Sequence, residues 1–236
     1  MGAGGTLRWM DDDALRARMD SVINVIEQRK EPDGYLMAYP KSAIFDFENG
    51  AYVRSWVTHG LIEAGYAGNP KAFGLLRDFY DWFESSPFLP EMLRRPGQGV
   101  QGAIPLTRTY FSPVGKTDEI CVMQRYFQQN YWMDWLKDRN TDAIWKYPYD
   151  RPHNYLVTAV EPYLDLYRAT GDENYLEAVL GFWDLFHDNW EHIGGSLAIN
   201  EGYFPYPPKS LFLKANTGEL CGNAFWVKLN QRLHNL

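Results

Sequence analysis

The chain has 236 residues, enough for one large domain or two small ones. Its net charge of −7 argues against nucleic acid as a partner. Its 45% hydrophobic content is that of a folded protein, while the lack of an apolar run of about 18 residues excludes a helical membrane span. Two cysteines cannot build a disulfide framework. The surplus is aromatic, with 9 Trp, 16 Tyr and 13 Phe. That exceeds the needs of a core this size, and flat rings with a polar edge suit contact with a ligand.

In chain order, Met1-Gly2-Ala3-Gly4-Gly5-Thr6 matches the loose N-myristoylation pattern but reads more simply as a flexible start. There is no basic segment followed by an apolar one, so no secretory signal is visible and the expected compartment is the cytoplasm. Asp11 to Asp13 precede Leu15, Met19, Val22, Ile23 and Ile26, a helical period with acidic capping residues, and Glu31-Pro32-Asp33-Gly34 stops it. Further helices are expected over about Ala51–Tyr66, Pro70–Phe83, Asp118–Lys137, Tyr155–Ala169, Glu173–Trp190 and Glu219–Leu233, with a kink at Pro162. Tyr203–Leu213 offers the one weak strand signal, but Pro205, Pro207 and Pro208 favour a loop.

A weak internal repeat runs through these helices. Gly68, Gly115 and Gly171 are each expected to end a helix, and an aromatic pair comes eleven and twelve places later: Phe79-Tyr80, Tyr126-Phe127 and Phe182-Trp183. Leu61/Leu164, Asp81/Asp184 and Phe83/Phe186 also correspond. Either stacked helical hairpins or chance among amphipathic helices produces such a pattern, and both give an all-α class. Long loops at Pro87–Pro96, Arg139–Pro152 and Gly194–Thr217 would ride above the helices and carry binding residues. No flexible linker is evident, so residues 1–236 read as one domain.

The stretch from Glu201 to Cys221 holds the most chemistry. Glu219 and Cys221, one residue apart at the start of the last helix, are both competent zinc ligands; a capping glutamate and a buried cysteine would look the same. Glu201 and Glu219 could converge as a carboxylate pair of the kind that cleaves glycosidic bonds. His59, His153, His187, His192 and His234 form no metal motif; His153 stands out by its position at a loop-to-helix junction. Phosphate-binding glycine loops and serine-nucleophile motifs are absent from the sequence.

Several stretches taken together resemble the catalytic domain of glycoside hydrolase family 127, the β-L-arabinofuranosidases. They are Glu31-Pro32-Asp33-Gly34-Tyr35-Leu36, His59-Gly60-Leu61-Ile62-Glu63-Ala64, Tyr167 through Leu176, Gly194-Gly195 ahead of Glu201, and Glu219-Leu220-Cys221. The resemblance implies an (α/α)6 barrel, here short by one or two hairpins and so incomplete. It implies Glu201 as acid/base carboxylate, Glu219 and Cys221 as zinc ligands, and His153 and His59 as substrate-binding residues. The family mechanism is retaining, with a zinc-bound thiolate from an adjacent cysteine pair as nucleophile. Residues 1–236 contain no such pair, and Cys121 lies too early to replace it. The expectation is therefore a fragment of a larger carbohydrate enzyme, inactive or nearly so alone, lacking a C-terminal segment and prone to self-association through uncovered helix faces. Val53-Arg54-Ser55-Trp56 stands where the family has His-Glu-Leu-Tyr, so the sugar need not be arabinose. Two other readings stay open: a helical-toroid epimerase or lyase working without zinc, and a non-catalytic helical scaffold that binds a sugar or a protein.

Overall fold

A computed structural model describes residues 1–44, 50, 53–87, 103–127, 131–146, 154–197, 209 and 220–236. The described residues are all-α, as the helical period required, with a single isolated bridge between Glu191 and Leu197. None of the described helices is long and apolar enough to cross a membrane. The chain forms two compact units, Met1–Tyr126 and Phe127–Leu236.

In the first unit, α1 (Gly2–Leu7) takes the place of the expected flexible start. A Cβ on Gly4 would lie 2.6 Å from the Glu63 carbonyl, so the helix is pressed backbone to backbone on its neighbour. Arg8 completes the contact, with Nη1 3.1 Å from Glu63 Oε2. Helix α2 (Asp13–Arg29) starts where the acidic run predicts: the Asp12 side chain accepts from Leu15 N at 2.9 Å, satisfying one of the free first-turn donors. Its buried face is narrower than the sequence suggests. Met19 and Ile23 are buried, whereas Val22 is exposed, because α2 covers only one side of the unit.

Helices α3 (Val53–Tyr66) and α4 (Pro70–Ser85) form a hairpin. Gly68 turns the chain at φ 100°, a left-handed conformation that glycine adopts without a Cβ penalty. Asn69 then caps α4, its Oδ1 accepting from Lys71 N and Ala72 N, while its Nδ2 donates to Asp20 Oδ1 at 2.7 Å and fixes α2 alongside. Leu61, Leu76, Phe79, Tyr80 and Phe83 fill the core between them. Helices α5 (Ala103–Tyr110) and α6 (Glu119–Phe127) follow; α5 was not expected from sequence. Glu119 is fully buried at the start of α6, accepting from Lys116 N at 2.9 Å and pairing with Arg77 of α4. Arg77 also reaches Asp81 at 3.0 Å and Glu84 at 3.4 Å, so one guanidinium holds three carboxylates.

Of the helix expected over Asp118–Lys137, the described residues hold α6 and, in the second unit, α7 (Tyr131–Lys137). The expected loop from Arg139 contains a short α8 (Thr141–Lys146). Helices α9 (Asn154–Thr170) and α10 (Glu173–Asn189) form a hairpin built like the first. Gly171 turns it at φ 73°, and Asp172 caps α10 by accepting from Asn174 N at 3.0 Å. The repeat read from the sequence is real for these two copies: Leu61 and Leu164, Phe79 and Phe182, and Phe83 and Phe186 are buried alike. The middle copy departs, since Gly115 has no left-handed φ and lies beyond the end of α5. Helix α7 crosses α10 so closely that a Cβ on Gly181 would sit 1.9 Å from the Leu136 carbonyl oxygen.

Candidate active site

Helix α11 (Leu220–His234) lies along α9 in the second unit. Four charges fix its register. Glu161 is 3% exposed and accepts from Lys228 Nζ and Arg232 Nη1, the latter at 2.8 Å. Asp165 is 4% exposed and pairs with Arg232 Nη2. Buried carboxylates are tolerated because two basic side chains one helical turn apart meet two acids spaced the same way. Burial alone would lower the proton affinity of Arg232, but Asp165 and Glu161 outweigh it and hold the guanidinium charged. On the other side of α11, Trp226 packs among Phe182, Trp183 and Phe186 of α10, and Trp183 Nε1 donates to Asn230 Oδ1 at 2.7 Å.

The segment that carries the predicted catalytic residues is anchored to this frame at three described points. After α10 the chain makes a tight turn: His192 N donates to Ser196 O at 2.8 Å, and Gly195, at φ 83°, donates to His192 O at 2.7 Å. Leu197 N then donates to Asn223 Oδ1 of α11 at 2.7 Å. Farther on, Lys209 N donates to Asn189 O at 3.0 Å and its ammonium donates to Asp188 O at 2.7 Å, so the residue is clamped on the carbonyl end of α10. Asn223 and Lys209 were not singled out in the sequence; an asparagine in the first turn of a helix was the only available signal. His192 is buried against the turn, and its Nε2 has no hydrogen-bond partner among the described residues.

Glu201, Glu219 and His153 lie outside the described residues, and so does the Cys221 side chain, although Cys221 itself falls in the first turn of α11 as the spacing predicts. His153 immediately precedes Asn154, the first residue of α9. His59 belongs to the other unit. It is 6% exposed on α3, with Trp56 edge-on at 6.4 Å and an Nε2 that lacks a partner among the described residues. Burial, then the charges of Arg108 and of the chain's amino terminus, hold its proton affinity well below the usual histidine value, so the ring is neutral at pH 7. A neutral imidazole of this kind can give or take one hydrogen bond.

Among the described residues no group of three His, Cys, Asp or Glu side chains is placed to hold a metal. Of the residues considered above, Glu219 and Cys221 carry the hard and soft donor types that zinc accepts, and would make two of its usual four ligands.

Comparison with known proteins agrees with this helical frame. The profile of the β-L-arabinofuranosidase GH127 catalytic domain matches residues 2–236, and the chain belongs to that family. Among solved structures, a GH127 β-L-arabinofuranosidase from Geobacillus stearothermophilus T6, described as Ara127N-Se, superposes with a TM-score of 0.70 at 18% identity, over 98% of this chain and 42% of its own. The GH127 β-arabinofuranosidase BT3674 superposes with a TM-score of 0.70 at 18% identity, over 98% of this chain and 40% of its own. At that identity the likeness is one of fold. The chain spans about two fifths of each of these proteins. No curated protein sequence matches it.

Proposed function

We propose that this chain forms part of a glycoside hydrolase site that acts on L-arabinofuranosides or related glycans by a retaining, zinc-assisted mechanism. Glu201 serves as the acid/base carboxylate, Glu219 and Cys221 bind the metal, and His153 and His59 contact the sugar. One observation supports this above the rest. The hydrogen bond from Leu197 N to Asn223 Oδ1 brings these two described residues together, with Glu201 four positions after Leu197 in the sequence and Glu219 four positions before Asn223. Chain positions so near two touching residues can meet, which is what an acid and a metal-binding pair need in order to share a substrate.

Glu201 would protonate the leaving glycosidic oxygen and then take a proton from the attacking water. Aromatic faces in the site would stack on the C–H surface of the sugar and exclude water. Zinc, when bound, supplies a charge that keeps coordinated thiols ionised at neutral pH. The 236 residues contain no adjacent cysteine pair of the family type, so no nucleophile is assigned within them.

The test is zinc binding followed by competition with a chromogenic chelator. The chain is expected to hold one zinc, with affinity falling at least tenfold in Glu219→Gln and in Cys221→Ser but unchanged in Glu201→Gln. Hydrolysis of a nitrophenyl β-L-arabinofuranoside, if it occurs, should disappear in Glu201→Gln. Zinc binding indifferent to both ligand substitutions would overturn the assignment.

A further inference from the structure

The turn over residues 112–118, between α5 and α6, is fastened to α4 by charged side chains. Arg77 Nη1 donates to Val114 O at 3.2 Å and pairs with Glu119, and the Lys116 ammonium pairs with Asp81. The turn closes on itself where Gly115 N donates to Ser112 O at 3.1 Å and Ser112 Oγ donates to Thr109 O at 2.6 Å. Lys116 N donates to Glu119 Oε2 at 2.9 Å. Glu119 therefore holds its own turn with one oxygen and Arg77 with the other.

Arg77 also serves a second buried acid. Glu84 Oε1 lies 3.4 Å from Nη2 of the guanidinium whose Nη1 meets Glu119. Both carboxyl groups are largely withdrawn from water, whereas Asp81 and Lys116 pair at the rim with about half of each side chain exposed. Two ionised carboxylates on one guanidinium leave a net negative charge inside the protein, and one proton cancels it. A protonated Glu84 can donate to Glu119, and that hydrogen bond favours the protonated form. Burial first, then repulsion by Glu119 against the pull of Arg77, raises the proton affinity of Glu84 to about 7. The helices on the other sides of α4 bring two further cations: Lys30 of α2, paired with Asp78, and Arg54 of α3, over the Phe83 ring.

We propose that Glu84 and Glu119 share one proton and act as a latch: while the proton is bound, Arg77 and Glu119 hold the turn on α4, and when it leaves to solvent the turn opens. Ionised Glu84 competes with Glu119 and with the Val114 carbonyl for the same guanidinium. The turn, most of whose residues are exposed, gives way before the packed helix α4 does. The folded proton affinity of Glu84 lies above its ordinary 4.5, so the latch is fully closed below that pH and is released as the pH rises through about 7. This inference does not rest on the glycosidase reading, and zinc binding or hydrolysis can fail while the latch stands.

Amide hydrogen exchange of the intact 236-residue chain tests it, read by mass spectrometry at about pH 5.5 and about pH 8.5 with rates corrected for intrinsic pH dependence. Protection over residues 112–121 should fall about fivefold or more between the two, with a midpoint near 7, while residues 171–189 of the second unit keep theirs. Glu84→Gln, which keeps a donor to Glu119 and cannot ionise, should stay protected at both. If Glu84→Gln does not fold, infrared spectroscopy of wild type decides: a protonated-carboxyl carbonyl band should persist at about pH 6 and be gone at about pH 8.5. Protection that does not change with pH overturns the proposal, as does absence of that band at the lower pH. A fall that survives in Glu84→Gln overturns it by placing the proton elsewhere, and an equal fall over residues 171–189 overturns it by showing general loosening.

Discussion

Glu84 offers a quantitative check on the electrostatics of the first unit. Burial near the end of α4, followed by repulsion from Glu119, raises its proton affinity from the ordinary 4.5 to about 7, against the opposing pull of Arg77. A carboxyl whose folded value exceeds its unfolded one stabilises the fold below pH 4.5, and that contribution disappears as the pH rises through 7. At 1.36 kcal/mol per tenfold change in proton affinity, the ceiling is roughly 3.4 kcal/mol. The side chain retains 16% exposure and shares Arg77 with two other acids, so screening reduces the figure to about 1–2 kcal/mol. Glu84→Gln mimics the protonated form and cannot titrate. Urea unfolding followed by tryptophan fluorescence should give equal stabilities near pH 4.5 and a variant about 1–2 kcal/mol more stable than wild type at pH 8. In melting temperature this is roughly 2–8 °C for a chain of this size. Parallel pH profiles for the two proteins would refute the reasoning.

Gly181→Ala should cost about 3 kcal/mol or more, since the new methyl meets the Leu136 backbone rather than a side chain that could rotate away; Gly74→Ala, with nothing within 4 Å, should instead stabilise by about 0.5–1 kcal/mol, and denaturant midpoints report both. Arg232→Met should destabilise by about 3–5 kcal/mol by withdrawing the guanidinium from Glu161 and Asp165, measured by calorimetric melting. Asn223→Ala should cost about 1 kcal/mol and open the segment after Leu197 to protease, with cleavage sites between 198 and 219 identified by mass spectrometry.

Most of the helical frame could be read from local signals. Asp12, Asn69 and Asp172 cap helices where polar residues precede apolar periods, and Gly68 and Gly171 end them where a left-handed residue is required. The elements that escaped are those held by tertiary contact alone. Helix α1 has glycines that disfavour a helix in isolation, and it forms because Gly4 lets it lie directly on the Glu63 backbone. Helix α8 is a single short turn-rich piece whose one buried residue is Ile144. Of the site, the position of Cys221 in the first turn of α11 was visible from spacing, and the burial of His59 was not, because one histidine in an apolar helix gives no sign of which face it occupies. Arg54 was legible only as a departure from the family's His-Glu-Leu-Tyr pattern; its burial is a property of packing.

The Lys209 clamp has an evolutionary corollary. On the helix side it uses only main-chain carbonyls, those of Asp188 and Asn189, which every sequence possesses. Residues on either side of Lys209 can therefore change while the clamp itself persists, so the sequence of this stretch is free to vary faster than the scaffold beneath it.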